Sequence, residues 1–254
     1  MVKRMRALIT GASNGLGRDF AYKLANEGYD LVLVARSKDK LEEIKKEINN
    51  VKVEIEVLDL SIKENVYILH KKYKDKIDLL INNAGYGLCG NFSELSLDEE
   101  LNMIDLNIIS LHILTKLFLN DFIKKDKGQI LNVASLAAFE PGPLMATYYS
   151  TKSYVYNLTM AIYEELRRIN SHVKISVLCP GPTDTGFNDR AKVKFGIKAL
   201  TSDYVTDYTI KKLKKNKLLI IPSIRMKLTV FGVRFMNRKQ LLKMTYSIQE
   251  RKKR

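Results

Sequence analysis

Two cysteines, three histidines and five prolines in 254 residues leave several kinds of protein without material. Cys89 and Cys179 form no C-x-x-C pair, and His70, His112 and His172 lie far apart without ligand spacing, so neither a metal nor a disulfide is expected. Two lone cysteines fit the reducing cytoplasm. Met1-Val2-Lys3-Arg4-Met5-Arg6 is basic, yet the apolar run behind it stops at Gly11, and no stretch approaches the roughly 18 apolar residues of a spanning helix. The reading is therefore a cytoplasmic protein. The prolines and the 13 glycines gather in no linker, so nothing divides the chain before residue 221.

Acidic residues are the other scarcity, and it is local. Residues 1–204 carry 28 basic and 26 acidic side chains, whereas residues 205–254 carry 15 basic and 2 acidic, so nearly all of the +15 formal charge lies in the last fifth.

Short apolar runs alternate with amphipathic stretches along the rest of the chain. Strands are expected near 5–10, 30–35, 52–58, 77–81, 128–134, 173–179 and 217–221, with helices between them. That alternation predicts an α/β fold, a doubly wound seven-stranded parallel sheet with helices on both faces and ligands at the carboxyl ends of the strands. A chain of this length can remain a single globular domain with a large core. The division read here is 1–221 as that domain and 222–254 as a C-terminal extension.

The first apolar run, Met5 to Thr10, turns on Gly11, Gly15 and Gly17 into a helix pattern carrying Phe20, Ala21, Leu24 and Ala25. Free N–H groups and the positive end of the helix dipole then face the turn, a place for a pyrophosphate. The spacing is G-x-x-x-G-x-G, which departs from the common G-x-G-x-x-G, and glycines in a loop can also serve only as a tight turn. Arg36 ends the second run, nineteen residues past Gly17. An arginine there suits a ribose 2′-phosphate, where a carboxylate would suit a free hydroxyl, and this points to NADP(H) over NAD(H). The alternative is that Arg36 merely opens the next helix, with Ser37 as its cap.

Ser135 closes the fifth run, and Tyr148 and Lys152 follow it by thirteen and seventeen residues. A tyrosine and a lysine four apart share a helix face, so the ammonium is expected to lower the phenol's pKa, which is near 10 in free tyrosine. Tyr149, Tyr154 and Tyr156 lack that spacing, and Tyr149 is expected to point elsewhere. Each residue also has a plainer reading, as a cap, a core tyrosine and a solvated charge.

With Thr10-Gly11-x-x-x-Gly15-x-Gly17, Asp59-Leu60, Asn82-Asn83-Ala84-Gly85, Asn107, Ser135, Tyr148-x-x-x-Lys152 and Pro180-Gly181-Pro182-Thr183-Asp184-Thr185 in that order, residues 5–221 resemble a classical short-chain dehydrogenase/reductase with a Rossmann-type fold. The resemblance implies an NADP(H)-dependent oxidoreductase exchanging a hydride between the nicotinamide and a carbonyl or secondary alcohol. It implies Tyr148 as proton donor, Ser135 holding the substrate oxygen, Lys152 on the nicotinamide ribose and Asn107 holding a water that links Lys152 to solvent. Gly11, Ser13, Asn14, Gly15, Leu16, Gly17, Arg36, Asp59, Leu60, Asn83, Ala84, Gly85, Pro180, Gly181, Thr183 and Thr185 would contact the cofactor together with Tyr148 and Lys152. Many NADP-preferring relatives carry a basic residue where Asn14 stands here, so the cofactor choice rests on Arg36. A non-catalytic NADP(H) sensor, or a scaffold for the basic tail, is the rival reading.

The tail is not read as disordered throughout. Leu228, Phe231 and Phe235 stand at i, i+3 and i+7, and Leu241, Leu242, Met244, Tyr246 and Ile248 continue among Arg225, Lys227, Arg234, Arg238, Lys239 and Lys243. Such a helix could cover the protein's own substrate cleft or a partner subunit, dock an acidic carrier protein, or meet an anionic membrane; nucleic acid fits less well. Phe187, Val193, Phe195 and Ile197, in a segment read as mobile over 186–200, suggest a small lipophilic ketone or a 3-oxoacyl thioester as substrate. Apolar runs in the helices carrying Asn107 and Tyr148 suggest a homodimer or larger homo-oligomer.

Overall fold

The computed structural model describes residues 4–185 and 199–252. Seven parallel strands form one sheet: β1 (Arg6–Thr10), β2 (Asp30–Ala35), β3 (Val53–Val57), β4 (Leu79–Asn82), β5 (Gln129–Val133), β6 (Lys174–Leu178) and β9 (Leu219–Ile220), in the order β3-β2-β1-β4-β5-β6-β9. All seven expected strands are present: β2 matches its expected bounds, β1, β3, β5 and β6 are shorter by one or two residues, β4 begins two residues later and extends to Asn82, and β9 keeps only two of its five. A two-stranded parallel pair, β7 (Thr183–Asp184) and β8 (Leu200–Thr201), was not foreseen from so few residues.

Burial explains why the strands read as continuous apolar runs. Leu31 through Val34 of β2 and Leu8 and Ile9 of β1 are shut off on both faces. One face packs on α1 (Gly15–Asn26), α2 (Lys38–Glu47) and α7 (Ser202–Leu213) through Phe20, Leu24, Leu41 and Val205. The other packs on α3 (Lys63–Tyr73), α5 (Leu111–Lys125) and α6 (Ala146–Arg168) through Leu69, Tyr73, Phe118 and Leu166. Edge strand β3 alternates, and Tyr73 donates to Glu54 and Glu56 on it, at 3.0 and 2.5 Å.

The helix of α4 (Leu97–Ile104), a π-turn over Asp105–Ser110 and α5 runs without a break for 29 residues. It contains a window long and apolar enough to cross a membrane, contrary to the expectation from the sequence, but 56% of that window is buried in the fold, as in a core helix. The apolar runs offered above as evidence for a dimer are spent the same way: Leu111, Ile113, Leu114, Phe118 and Val155 are buried within one chain, and Ile108, Ile109, Leu117, Leu158 and Ile162 are partly covered.

Beyond β9 come α8 (Ile224–Val233) and α9 (Arg238–Lys252). Met226 and Val230 of α8 join Ile221 and Cys179 beside the sheet edge. Leu241, Thr245 and Gln249 are the buried stripe of α9. The apolar face expected for the tail is turned outward, because Leu228, Phe231 and Phe235 stand 66%, 59% and 76% exposed. Spacing identifies a stripe but not which side of a helix meets the protein when both sides are apolar.

Candidate functional site

The strand ends open into one cleft of about 400 Å³. At one end lies the glycine turn, where Gly11 (φ +66°) and Gly15 (φ +51°) adopt the left-handed conformation that glycine reaches without strain. A Cβ on Gly17 would stand 2.2 Å from the Gly11 carbonyl oxygen, so the third glycine lets the helix start press against the strand end. The turn is stitched to the one after β4: the Thr10 hydroxyl accepts from Asn83 N and Ala84 N, both at 3.0 Å, and Asn83 Nδ2 donates to Thr10 O and Gly11 O at 2.9 and 3.2 Å. Asn14 caps α1, its Oδ1 accepting from Gly15 N at 2.9 Å, and Gly15 and Leu16 of the first turn line the cleft. The motif of small residues therefore shapes a cradle that fits a pyrophosphate.

Arg36 lines the cleft at the end of β2, but it is paired. Its Nη1 lies 3.4 Å from Asp59 Oδ2, with both side chains partly in solvent. Asp59 also accepts from the Ser61 N–H and hydroxyl at 2.9 and 2.7 Å. These bonds and the Arg36 guanidinium outweigh the desolvation of Asp59, individually its largest influence, and hold its carboxyl below the usual range. Sequence spacing placed Arg36 and Asp59 separately; only the parallel register of β2 and β3 brings them together.

At the opposite end, Ser135, Tyr148 and Lys152 converge. Ser135 follows β5 and caps a short 3₁₀ turn, accepting from Ala137 N at 3.2 Å, so the cap reading and the site reading hold at once. Lys152 is 5% exposed and donates to Val133 O at 3.0 Å. Its Nζ lies 5.9 Å from the Tyr148 ring centroid. Burial pushes the Tyr148 phenol up to about 12, opposed by a hydrogen bond with Ser135. Burial likewise pushes the Lys152 ammonium down to about 8. The lowering of the phenol expected from the lysine does not emerge: burial dominates both groups, and it is Ser135 that opposes the rise of the phenol.

Asn107 and Gly17 do not line the cleft; the other residues expected to contact the cofactor or to carry the chemistry do. Asn107 sits behind it in the π-turn, donating to Tyr86 O (2.9 Å) and Thr151 Oγ1 (3.1 Å) and accepting from Tyr86 N (3.1 Å). A Cβ on Gly85 would meet Asn107 Oδ1 at 2.8 Å and Lys152 Nζ at 3.5 Å, so Gly85 is the contact point between them. Deeper still, Asn82, Thr115, Asn132 and Thr159 form a buried chain of hydrogen bonds tying β4 and β5 to α5 and α6.

Sequence spacing set Tyr149 aside, yet it lines the cleft next to Tyr148, their rings 6.1 Å apart and T-shaped. Its hydroxyl accepts from Gln249 Nε2 of α9, while Gln249 Oε1 is buried without a partner. The tail thereby reaches the wall of the site. Tyr86, Leu136, Ala137 and Met145 are further lining residues not foreseen; Tyr86 and Leu136, directly following Gly85 and Ser135, carried a signal in their positions. Just before α6, Leu144 is held at φ +64°, its carbonyl accepting from Gly90 N at 2.8 Å. Phe187, Val193, Phe195 and Ile197 lie outside the described residues.

The family model for short chain dehydrogenases matches residues 5–195. An uncharacterized oxidoreductase of Staphylococcus epidermidis is 33% identical over 203 residues, covering 76% of this chain and 86% of the relative. A very-long-chain 3-oxoacyl-CoA reductase of Mycosarcoma maydis is 30% identical over 178 residues, 66% of this chain and 51% of that protein. A short-chain dehydrogenase from Sphingobium yanoikuyae in complex with NADPH superimposes with a TM-score of 0.82 at 28% identity, covering 91% of this chain and 93% of that one. A short-chain dehydrogenase/reductase from Burkholderia phymatum in complex with NAD gives 0.82 at 25% identity over 90% and 92%. A doubly wound sheet, a glycine cradle and a matched sequence over most of its length thus converge, and the chain belongs to the short-chain dehydrogenase family of oxidoreductases.

Proposed function

We propose that the protein is an NADP(H)-dependent reductase of a lipophilic ketone or 3-oxoacyl thioester, with Ser135, Tyr148 and Lys152 carrying the chemistry. The observation that carries this reading is that these three side chains meet at one end of the cleft whose other end is the glycine cradle beside Arg36. A bound nicotinamide dinucleotide supplies the hydride. Tyr148, which carries its proton at neutral pH as an unshifted phenol also would, donates it to the substrate oxygen, and the Ser135 hydroxyl donates a second hydrogen bond to the same oxygen. Lys152, anchored on Val133 O, would hold ribose hydroxyls, and Asn107 would sustain its position from behind Gly85. Leu136, Ala137, Met145 and Tyr149 give the substrate end an apolar wall, which suits a lipophilic carbonyl, and the name of the Mycosarcoma relative favours an acyl thioester. A homodimer or larger assembly belongs to the same proposal on family grounds.

Titration with NADPH and NADH, in parallel with an Arg36→Asp variant, tests the cofactor. The variant removes the guanidinium and places a second carboxylate beside Asp59, so NADPH affinity should fall by about ten- to a hundredfold while NADH affinity changes little. Equal binding of both dinucleotides by the native protein would overturn the NADP(H) assignment. Oxidation of NADPH by 3-oxoacyl thioesters and hydrophobic ketones then tests the substrate class.

Lys152 also makes a pH prediction. Its folded pKa of about 8 lies below 10.5, so between those values the unfolded chain binds more protons and native stability contributed by this group rises with pH. Thermal unfolding of native protein and Lys152→Met should show the native protein gaining relative to the variant from pH 8 toward pH 10, by at most about 3 kcal/mol. A pH-independent difference would show that Lys152 is not desolvated.

A further inference from the structure

On α8, Ile224, Leu228 and Phe231 recur at intervals of four and three residues, and Phe235 continues the line in the turn that follows. All four point away from the protein, at 76%, 66%, 59% and 76% exposure, and the two phenylalanine rings stack edge to face at 5.2 Å. The opposite side of the same helix is already used: Met226 packs near Gly181 of the cleft, and Val230 joins the cluster around Ile221. At 100° per residue, Arg225 falls on one flank of the exposed stripe and Lys227 and Arg234 on the other. Arg238, Lys239 and Lys243 follow, all exposed.

We propose that α8 docks on the surface of an anionic lipid bilayer, with the phenylalanine stripe entering the headgroup boundary and the flanking cations meeting lipid phosphates and carboxylates. Charge decides among possible occupants. A second copy would bring the same cationic flanks together, with 15 basic and 2 acidic residues in each chain's last fifth. An acidic protein would answer the cations, but a bilayer edge supplies both the negative charge and an apolar layer deep enough for Ile224, Leu228, Phe231 and Phe235. The inference does not depend on the reductase reading. If both hold, the helix that borders Gly181 of the cleft also borders the phase in which a lipophilic substrate dissolves.

The test is co-sedimentation of the full-length protein with phosphatidylcholine vesicles containing about 30% phosphatidylserine, at about 0.15 M salt, against pure phosphatidylcholine vesicles. Two variants accompany it: Phe231→Glu with Phe235→Glu, and Arg225→Glu with Arg234→Glu. These side chains are exposed, so both variants should keep the native melting temperature, which is measured alongside. The expected result is binding to the anionic vesicles, at least about tenfold weaker binding to neutral ones, and a loss of about tenfold or more in either variant. No binding of the native protein to anionic vesicles would overturn the proposal. So would vesicle binding that the Phe231/Phe235 variant retains in full, since the cationic surface alone would then be responsible. A dimer in solution that this variant dissociates, without vesicle binding, would assign the stripe to a second copy instead.

Discussion

Tyr148→Phe is expected to lower ketone-dependent NADPH oxidation by about a thousandfold while leaving dinucleotide affinity within about twofold. The substitution removes one hydroxyl from a ring that is 8% exposed, so its packing against Tyr149 and Met145 is retained. What disappears is the proton donor and the hydrogen bond with Ser135 that opposes the rise in its pKa. Tyr149→Phe provides the comparison, because Tyr149 bonds Gln249 and has no proton to give at Ser135; its loss should change the Michaelis constant more than turnover. Single-turnover measurements with a hydrophobic ketone distinguish the two. Full activity in Tyr148→Phe would remove the tyrosine from the chemistry and favour a role confined to dinucleotide binding.

Gly17→Ala is expected to weaken dinucleotide binding by about a hundredfold or more and to cost about 3 kcal/mol of stability. The new methyl would lie 2.2 Å from Gly11 O and 2.6 Å from Asn83 Nδ2. Backbone oxygen cannot rotate away as a side chain can, so the helix start must retreat from the strand end. That movement would disturb the helix start that lines the cleft and break the Asn83 bonds that tie the two turns. Gly28→Ala separates this from a general effect of losing a glycine. Gly28 has φ +82° and open space where the methyl would go, so about 1 kcal/mol of stability should be lost with no change in binding. Thermal unfolding with and without NADPH reads both quantities, and normal binding by Gly17→Ala would refute the cradle.

How much was legible depended on the range of the interaction. Strand β2 was readable to the residue because Leu31 to Val34 are buried on both faces and must all be apolar. The glycines were readable because a steric demand leaves a residue type behind at each position. Tyr149 was misjudged because helix angle alone separates it from Tyr148; the chain entering α6 through Leu144 and Met145 brings both into the wall of one cleft. Gln249, a hundred residues away, carried no signal at all.

The sequence by itself determined the strand positions, the glycine turn and the spacing of Ser135, Tyr148 and Lys152, since each follows from local sterics, the twofold and 3.6-residue periods, or contacts within one turn. Tertiary structure decided the rest. It paired Arg36 with Asp59 across neighbouring strands and buried Tyr148 and Lys152 deeply enough for desolvation to govern both their pKa values. It also turned Ile224, Leu228 and Phe231 of α8, and Phe235 after it, outward, because Met226 and Val230 claimed the side of the helix that faces the sheet edge. Burial and pairing are sums over neighbours distant in the chain, and a local pattern holds no record of which of two apolar faces those neighbours will cover.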